Sequence, residues 1–451
     1  MTTGTSGRKK RRPKALRRRR TRAVSGGVRT AGIRRLPVLL LALSGLLNLA
    51  AWSSVPFCDW YQCRIFPLWV GSLGRLTGLA PFSVGEVMLT AGALWCAAGA
   101  ALAAAGGIRA LSGLFRRRRT GRDGHSGPSP VGRSSAEVSS AEKFPAGKIS
   151  PGKSRLGLWR PAAVFCRISL WLVSVVVLIM TLNCFIVYHA SGFSLGDPAA
   201  AEAETEDGAD TAESLRQLRN YIAEQSNRLA EIVPRDAAGE VLLGEDASAE
   251  AICCLRRLAE NRKIPQLQGF YPRPKGMAYS HLMSQAEMQG YYFPFSMEAN
   301  YNLDMTVMHV PFTLCHELAH LKGYMREDDC NMIGFFACLE SGDPAFRYSG
   351  WLGILNYVDN AYYESIGRNR ARYAEQPAIS KQVRRDQEFL REDVRAAVEE
   401  SAVIDTETLQ SANETLSDAS MKANGIAEGR GSYALVVVHL LEWWQEKQAA
   451  Q

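Results

Sequence analysis

Three apolar runs in the first 190 or so residues constrain the fold of this chain most strongly. They cover residues 36–55, 82–106 and 168–188. Each is close to the ~20 residues that a helix needs to cross ~30 Å of hydrocarbon. The third run carries no charge, whereas the second contains Glu86 and is rich in Ala and Gly, so a buried helix of a soluble protein is its alternative. We predict three transmembrane helices.

The charge distribution predicts how these helices are oriented. Residues 1–35 contain 14 basic and no acidic residues, and residues 108–160 contain 12 basic and 3 acidic residues. Residues 189–451 contain 24 basic and 40 acidic residues. Since cytoplasmic loops collect Lys and Arg near the ends of spans, we expect a multi-pass protein of the cell membrane with a cytoplasmic N-terminus and an extracytoplasmic C-terminal domain. The basic tail could instead bind nucleic acid, but the adjoining span disfavours that, and we expect no nucleic-acid partner.

The same patterns divide the chain into regions. We predict a basic cytoplasmic tail at 1–35, the three spans within 36–188 with a disordered basic loop at 108–160, an acidic linker at 189–212 and an outer domain at 213–451. Cys58 and Cys63 lie in the short outer loop between the first two spans. They could form a disulfide in an oxidising exterior, and the sequence leaves this open.

The outer domain has mostly helical patterns. Apolar residues at helical spacing predict helices at 212–232, 250–261, 332–339, 350–368, 379–401 and 432–447. The aromatic segment 289–307 favours extended chain. The predicted fold class is therefore mainly α, with three N-terminal transmembrane helices followed by a mostly helical, zincin-like domain with a small β segment.

A His-Glu-Leu-Ala-His motif carries the main chemical signal. His316 and His320 are four residues apart, which places both imidazoles on one face of a helix. Two neutral imidazoles in this arrangement can bind one Zn²⁺. Glu317 would lie beside the metal, where it could accept a proton from water and pass it to a leaving group. A surface helix that matches by chance is the alternative.

The motif supplies two ligands, and Glu327 is the best candidate for the third. On an unbroken helix its carboxylate would lie ~10 Å beyond His320 along the axis, too far to reach the same ion. Gly323 is where a helix could end, so that a second helix starting near 327 would bring Glu327 back. Asp328 and Asp329 are rival ligands, although acidic residues are also common in the first turn of a helix.

Asn331 would share a helix face with Glu327 and support a ligand by hydrogen bonding. Glu327 and Asn331 together resemble the Glu-x-x-Ala-Asn/Asp helix of the gluzincin metallopeptidases, which implies that Glu327 is a zinc ligand. A closer resemblance, over most of residues 160–448, is to a bacterial multi-span membrane family described only as a domain of unknown function. The shared phrases are PFSMEAN (294–300), PFTLCHELAH (311–320), REDDCN (326–331), YSG (348–350) and MKANG…GSY (421–433). This chain departs from that family at Cys330, where Ala is usual.

Hydrolysis also needs a donor that stabilises the oxyanion in the transition state. Tyr348 is our candidate for this catalytic role. The alternatives are Tyr301, His309 and Arg347. Glu298 and Asn300 could line the cleft from the extended segment, or could instead support the helix that carries the motif.

These patterns predict a membrane-anchored zinc metallopeptidase that hydrolyses peptide bonds with zinc-activated water. Zn²⁺ is the expected cofactor, with His316, His320 and Glu327 as ligands and Glu317 as the general base. The expected partners are a peptide or protein substrate outside the membrane and the lipid bilayer. A zinc-dependent amidase acting on cell-wall material is one alternative, and a non-catalytic membrane module with a structural zinc is the other.

Overall fold

Three long helices dominate the N-terminal part of the computed structural model, which describes residues 25–120, 160–193, 208–423 and 433–450. Most of the predicted basic tail, basic loop and acidic linker lies outside these described residues. The N-terminal helices are α1 (Ser25–Ser53), α2 (Val55–Arg64), α3 (Phe66–Trp69), α4 (Arg75–Thr77), α5 (Val84–Thr120), α6 (Arg160–Met180) and α7 (Ile186–Tyr188). Two π-helical turns, Val70–Gly74 and Thr181–Phe185, join α3 to α4 and α6 to α7.

The three predicted spans are confirmed as helices long and apolar enough to cross a membrane. Their apolar parts are Arg35–Ser53, Val84–Arg109 and Arg160–Tyr188. None of the second apolar window is buried inside the protein, so it does not fit the alternative of a buried helix in a soluble protein. Asn48 donates to the Thr181 hydroxyl at 2.9 Å and so links the first helix to the third.

The loop between the first two spans is helical, which the sequence patterns had not indicated. Ser54 begins α2 by accepting a hydrogen bond from the Phe57 N–H at 3.3 Å. Large apolar side chains on α2–α4 and their flanks are exposed, among them Trp60, Leu68, Leu76 and Leu79. Of these, Trp60 is of a type enriched at the membrane–water interface. Cys58 is buried, Cys63 is exposed, and the two are not bonded to each other.

The remaining described residues form a mostly helical domain with one small sheet, which confirms the prediction of a mainly α fold with a small β segment after three apolar helices. Its helices are α8 (Gly208–Ile232), α9 (Ala247–Asn261), α10 (Ser280–Gln285), α11 (Val310–His320), α12 (Glu327–Leu339), α13 (Pro344–Ser365), α14 (Arg370–Ala374), α15 (Lys381–Asp386), α16 (Glu392–Glu400), α17 (Thr406–Ala423) and α18 (Tyr433–Ala449). The strands are β1 (Lys275–Gly276), β2 (Gly290–Phe293) and β3 (Glu298–Tyr301). The predicted single helix 379–401 is wrong in detail, since α15 and α16 replace it, and α17 was not predicted.

Helix α11 occupies the centre of this domain. It packs against α9, α12 and α13 on one side and against β2 and β3 on the other. Leu318 of α11 and Ile333 of α12 are both fully buried. A helix enclosed in this way cannot shift easily, so its side chains are held in fixed positions.

The sheet joins the domain to the adjacent ends of the potential spans. Strand β3 is central, parallel to β1 and antiparallel to β2, which leaves β2 at an edge. At the hairpin, Asn183 at the end of the third span donates to the Pro294 carbonyl at 2.8 Å. Tyr292 in turn donates to the Asn183 carbonyl at 3.0 Å. The domain therefore rests directly on the helices that could cross the membrane.

Glu298 does not line a cleft, contrary to one of the expectations above. Its buried carboxylate accepts hydrogen bonds from the backbone N–H groups of Val84 and Gly85, at 3.2 and 2.8 Å, which begin α5. It also accepts from the Ser296 hydroxyl and pairs with the Lys275 ammonium. Glu298 thus ties the sheet to the start of the second span.

Glu298→Gln should therefore destabilise the whole protein. It removes the negative charge that compensates the buried Lys275 ammonium, and breaking a buried ion pair costs about 3 kcal/mol or more of unfolding free energy. Thermal unfolding of the detergent-solubilised protein should show a lower midpoint than wild type. Glu287→Gln, at an exposed position, is the control. Equal midpoints for the two variants would contradict this role of Glu298.

Candidate metal centre

The motif helix and the following helix are joined by a tight turn at Gly323. Helix α11 has Pro311 in its first turn and ends at His320. Gly323 has φ of +86°, a left-handed conformation that favours glycine. A Cβ at this position would also lie 2.8 Å from the Gln62 Cγ of α2. The chain therefore reverses here, and α12 begins at Glu327, as the sequence argument anticipated.

This reversal brings three potential ligands together. The Glu327 carboxylate lies 3.2 Å from His316 Nε2 and 3.9 Å from His320 Nε2. The three ligand atoms all lie within 4.8 Å of one another. Bonds of the length found in tetrahedral zinc sites place ligand atoms about 3.4 Å apart. The arrangement fits a zinc ion with only small adjustments.

The Nδ1 atoms of both imidazoles lie within hydrogen-bonding distance of oxygen acceptors. His316 Nδ1 lies 3.0 Å from Asn331 Oδ1, and His320 Nδ1 lies 2.8 Å from the Tyr324 carbonyl oxygen. A carbonyl oxygen accepts only, so each Nδ1 carries a proton, and in a neutral imidazole the Nε2 lone pair is then available to a metal ion. Asn331 therefore lies where the sequence argument placed it. This is the tautomer and support that metal-ligating histidines usually have.

Burial and charge set the pKa values within this cluster. Burial lowers the pKa of His320 to about 4, in spite of the nearby Glu327 carboxylate. Burial opposes ionisation of Glu327, but the hydrogen bond from His316 and its charge outweigh this and lower the Glu327 pKa. Burial raises the pKa of Glu317 to about 8, and the Glu327 charge adds to the effect, whereas His316 opposes it. Glu317 Oε2 is buried without a hydrogen-bond partner in the described residues.

The two rival carboxylates point elsewhere. Asp328 pairs with Arg326 at 2.8 Å and with His439 at 3.4 Å. Asp329 accepts a hydrogen bond at 2.8 Å from the Phe193 N–H, just beyond the third span. Both are committed to other contacts, so Glu327 alone of the three joins the histidines.

The structure does not bring Tyr348 to this cluster, which corrects our prediction for the oxyanion donor. Tyr348 is fully buried, and its hydroxyl donates to Asp386 at 2.8 Å. Tyr357 lies nine residues further along α13, which is two and a half turns at 3.6 residues per turn, and so occupies the opposite face. Its hydroxyl lies 3.4 Å from Asn331 Nδ2, and its side chain lines the cavity in front of Glu317.

Of the other residues that the sequence suggested for the oxyanion donor or the cleft lining, some lie at the cavity and others do not. His309 lines that cavity, but its Nε2 lies 3.2 Å from the Gln387 carbonyl. Asn300 and Tyr301 belong to β3, and Asn300 is fully buried. Arg347 precedes Tyr348 on α13 and is half-buried.

Two cavities open onto Glu317 and Glu327. The first, of about 490 Å³, lies between the segment before β2 and helices α11, α12, α13 and α17. The second, of about 300 Å³, lies between β2, α17 and the end of the third span. Helix α17 lines both cavities through Asn413 and Ser417. The sequence of α17 is rich in Ser, Thr and Ala and has few large apolar residues, so it did not indicate a helix.

Comparison with known proteins places this site within a family. A family model described as "Protein of unknown function (DUF3810)" matches residues 154–441, which is more than half of the chain. The match includes the third span, the sheet and the whole cluster. No curated protein and no solved structure matches the chain.

Proposed function

The chain belongs to the family described as "Protein of unknown function (DUF3810)", and we propose that it is a membrane-anchored zinc metallopeptidase of the gluzincin type. One observation carries the proposal. His316, His320 and Glu327 converge within 4.8 Å, and both imidazoles are held by acceptors that leave Nε2 free for a metal. Two neutral imidazoles and one carboxylate are the donor set of many catalytic zinc sites.

The residues around the cluster fit the steps of hydrolysis. A bound Zn²⁺ would supply a Lewis acid that polarises the scissile carbonyl and makes water more acidic. Glu317 would take the proton of the attacking water and deliver it to the leaving amine. We assign the oxyanion donor to the Tyr357 hydroxyl, which faces the same cavity. A fixed donor of this kind stabilises developing charge without reorganisation.

Two features favour peptide hydrolysis over the alternatives. Strand β2 is an edge of the sheet. Its residues line the second cavity, and the segment before it lines the first, so an extended peptide could pair with this edge. Structural zinc sites are usually closed by four protein ligands. Here three ligands meet beside open space, which favours a catalytic zinc. No contact in the described residues specifically favours a cell-wall amidase.

Zinc content is the first test of the proposal. The purified full-length protein should contain about one zinc per chain by elemental analysis, as a single three-ligand site requires. The double variant His316→Ala/His320→Ala should lose this zinc but keep its helical content. Zinc-free wild-type protein that does not bind added Zn²⁺ would reject the proposal.

We further propose that the domain lies outside the cytoplasm, which the basic residues before the first span and around the second loop support. A reporter enzyme that is active only outside the cytoplasm should be active when fused after Ala190. The same reporter fused after Thr120 should be inactive. The reverse pattern would show that the domain lies inside.

A further inference from the structure

The second cavity connects the candidate metal centre to the end of the third span. One wall consists of Cys184 and Tyr188, from the last turns of that span. The opposite end is formed by His320, Glu317 and Glu327. A substrate that reaches the cluster through this cavity must therefore pass the C-terminal end of the third apolar helix.

Direct contacts show how short this path is. Tyr292 of β2 donates to the Asn183 carbonyl in the third span. The same Tyr292 ring stacks on the His320 imidazole, with ring centroids 6.0 Å apart. A single side chain thus separates the cluster from the apolar helix.

The two cavities differ in chemical character. The first contains amide, hydroxyl and carboxylate side chains, among them Gln289, Asn356 and Gln410. The second also contains polar residues, among them Asn413 and Ser417, but a larger share of its lining is apolar or aromatic, namely Tyr188, Tyr291, Tyr292, Met325, Leu416 and Met421. Leu416 is 72% exposed at this mouth. Leu416 shares this cavity with Cys184 and Tyr188 of the third span, so an apolar chain in the cavity could contact all three.

We propose that the substrate is the stalk of a membrane-anchored protein, cleaved close to the point where the stalk enters the membrane. The second cavity would hold the residues on the membrane side of the cleaved bond, and the first cavity would hold the residues on the other side. This inference rests on the proposed peptidase function. Anchoring in the same bilayer raises the effective concentration of such a stalk at the site, whereas a soluble peptide has no such advantage.

The test uses the full-length protein with Zn²⁺ in vesicles of phosphatidylethanolamine and phosphatidylglycerol. Three fluorogenic reporters carry the same cleavable segment. In the first reporter, the cleavable segment adjoins a membrane span. In the second, a flexible Gly/Ser spacer of about 30 residues separates the cleavable segment from the span. The third reporter has no span. The first should be cleaved at least ~10-fold faster than the other two. Leu416→Glu should reduce that preference, whereas Val403→Glu, at a position 97% exposed and outside both cavities, should not.

Equal cleavage of the three reporters would overturn the inference and leave the proposed peptidase function intact. If the protein cleaves a lipid-linked wall peptide but none of the three reporters, a protein stalk is not the substrate class. If nothing is cleaved by zinc-loaded protein, the proposed function itself fails, and the inference fails with it.

A binding measurement separates the two proposals further. In zinc-free Glu317→Gln protein, a photoreactive benzoylphenylalanine in place of Leu416 should cross-link the first reporter, and the same group in place of Val403 should not. Cross-linking that is no stronger at 416 than at 403 would overturn the inference whatever the activity of the wild type.

Discussion

Replacement of Glu317 with glutamine is expected to abolish peptide hydrolysis while leaving zinc content and folding unchanged. General base catalysis by a positioned carboxylate contributes 10²–10⁴-fold to the rate, so we expect a loss of about 10³-fold or more. Glutamine has nearly the same shape as glutamate but cannot take a proton from water. The cavity in front of residue 317 should therefore keep its form, and only the proton transfer should be lost.

The measurement is the rate of cleavage of a fluorogenic peptide library by equal amounts of zinc-loaded wild type and Glu317→Gln. Glu364→Gln is the matched control, because Glu364 is exposed on α13 and pairs with Arg368. Retention of wild-type activity by Glu317→Gln, with zinc still bound, would reject catalysis through this residue and favour a structural zinc. Loss of zinc from Glu317→Gln would show instead that Glu317 holds the metal.

The candidate ligands could be predicted from the sequence because they depend on short-range geometry. The spacing of His316 and His320 fixes a shared helix face, and the 1.5 Å rise per residue excludes Glu327 on an unbroken helix. Gly323 then offers the place where the helix can end. Each of these steps concerns neighbouring residues, so no knowledge of the rest of the fold is needed.

The oxyanion donor could not be predicted in the same way. Tyr348 and Tyr357 belong to one helix, and each is a plausible hydroxyl donor by residue type. Which face of α13 meets the cluster depends on how α13 packs against distant elements. Tyr348 faces Asp386, which also pairs with Arg235, and both partners are far away in sequence.

The position of the metal centre relative to the spans could not be predicted from the sequence either, because it depends on long-range packing. Nothing in the motif indicates that Tyr292 bridges Asn183 and His320. The phrase PFSMEAN drew attention to the hairpin as a cleft-lining segment. In the structure its Glu298 caps the start of the second span instead. A conspicuous polar residue in an extended segment can therefore serve assembly rather than catalysis.

Replacement of Glu327 with alanine should remove the metal. A ligand set of two imidazoles without the carboxylate loses a substantial share of the binding free energy, and we expect zinc affinity to fall on the order of 10³-fold. Zinc content after dialysis against a weak chelator should drop from about one per chain to near zero, and peptidase activity should drop with it.

Asp328→Asn is the informative control, since it alters the adjacent carboxylate. Asp328 contacts Arg326 and His439 rather than the two imidazoles. Its substitution should therefore lower the thermal unfolding midpoint, because it breaks a buried pair, while zinc stoichiometry stays at the wild-type value. The opposite result, with zinc lost from Asp328→Asn and kept by Glu327→Ala, would mean that Asp328 rather than Glu327 is the third ligand. If Glu327→Ala loses zinc and Asp328→Asn loses only stability, the result would support the reversal at Gly323 as the feature that brings Glu327 to the two histidines.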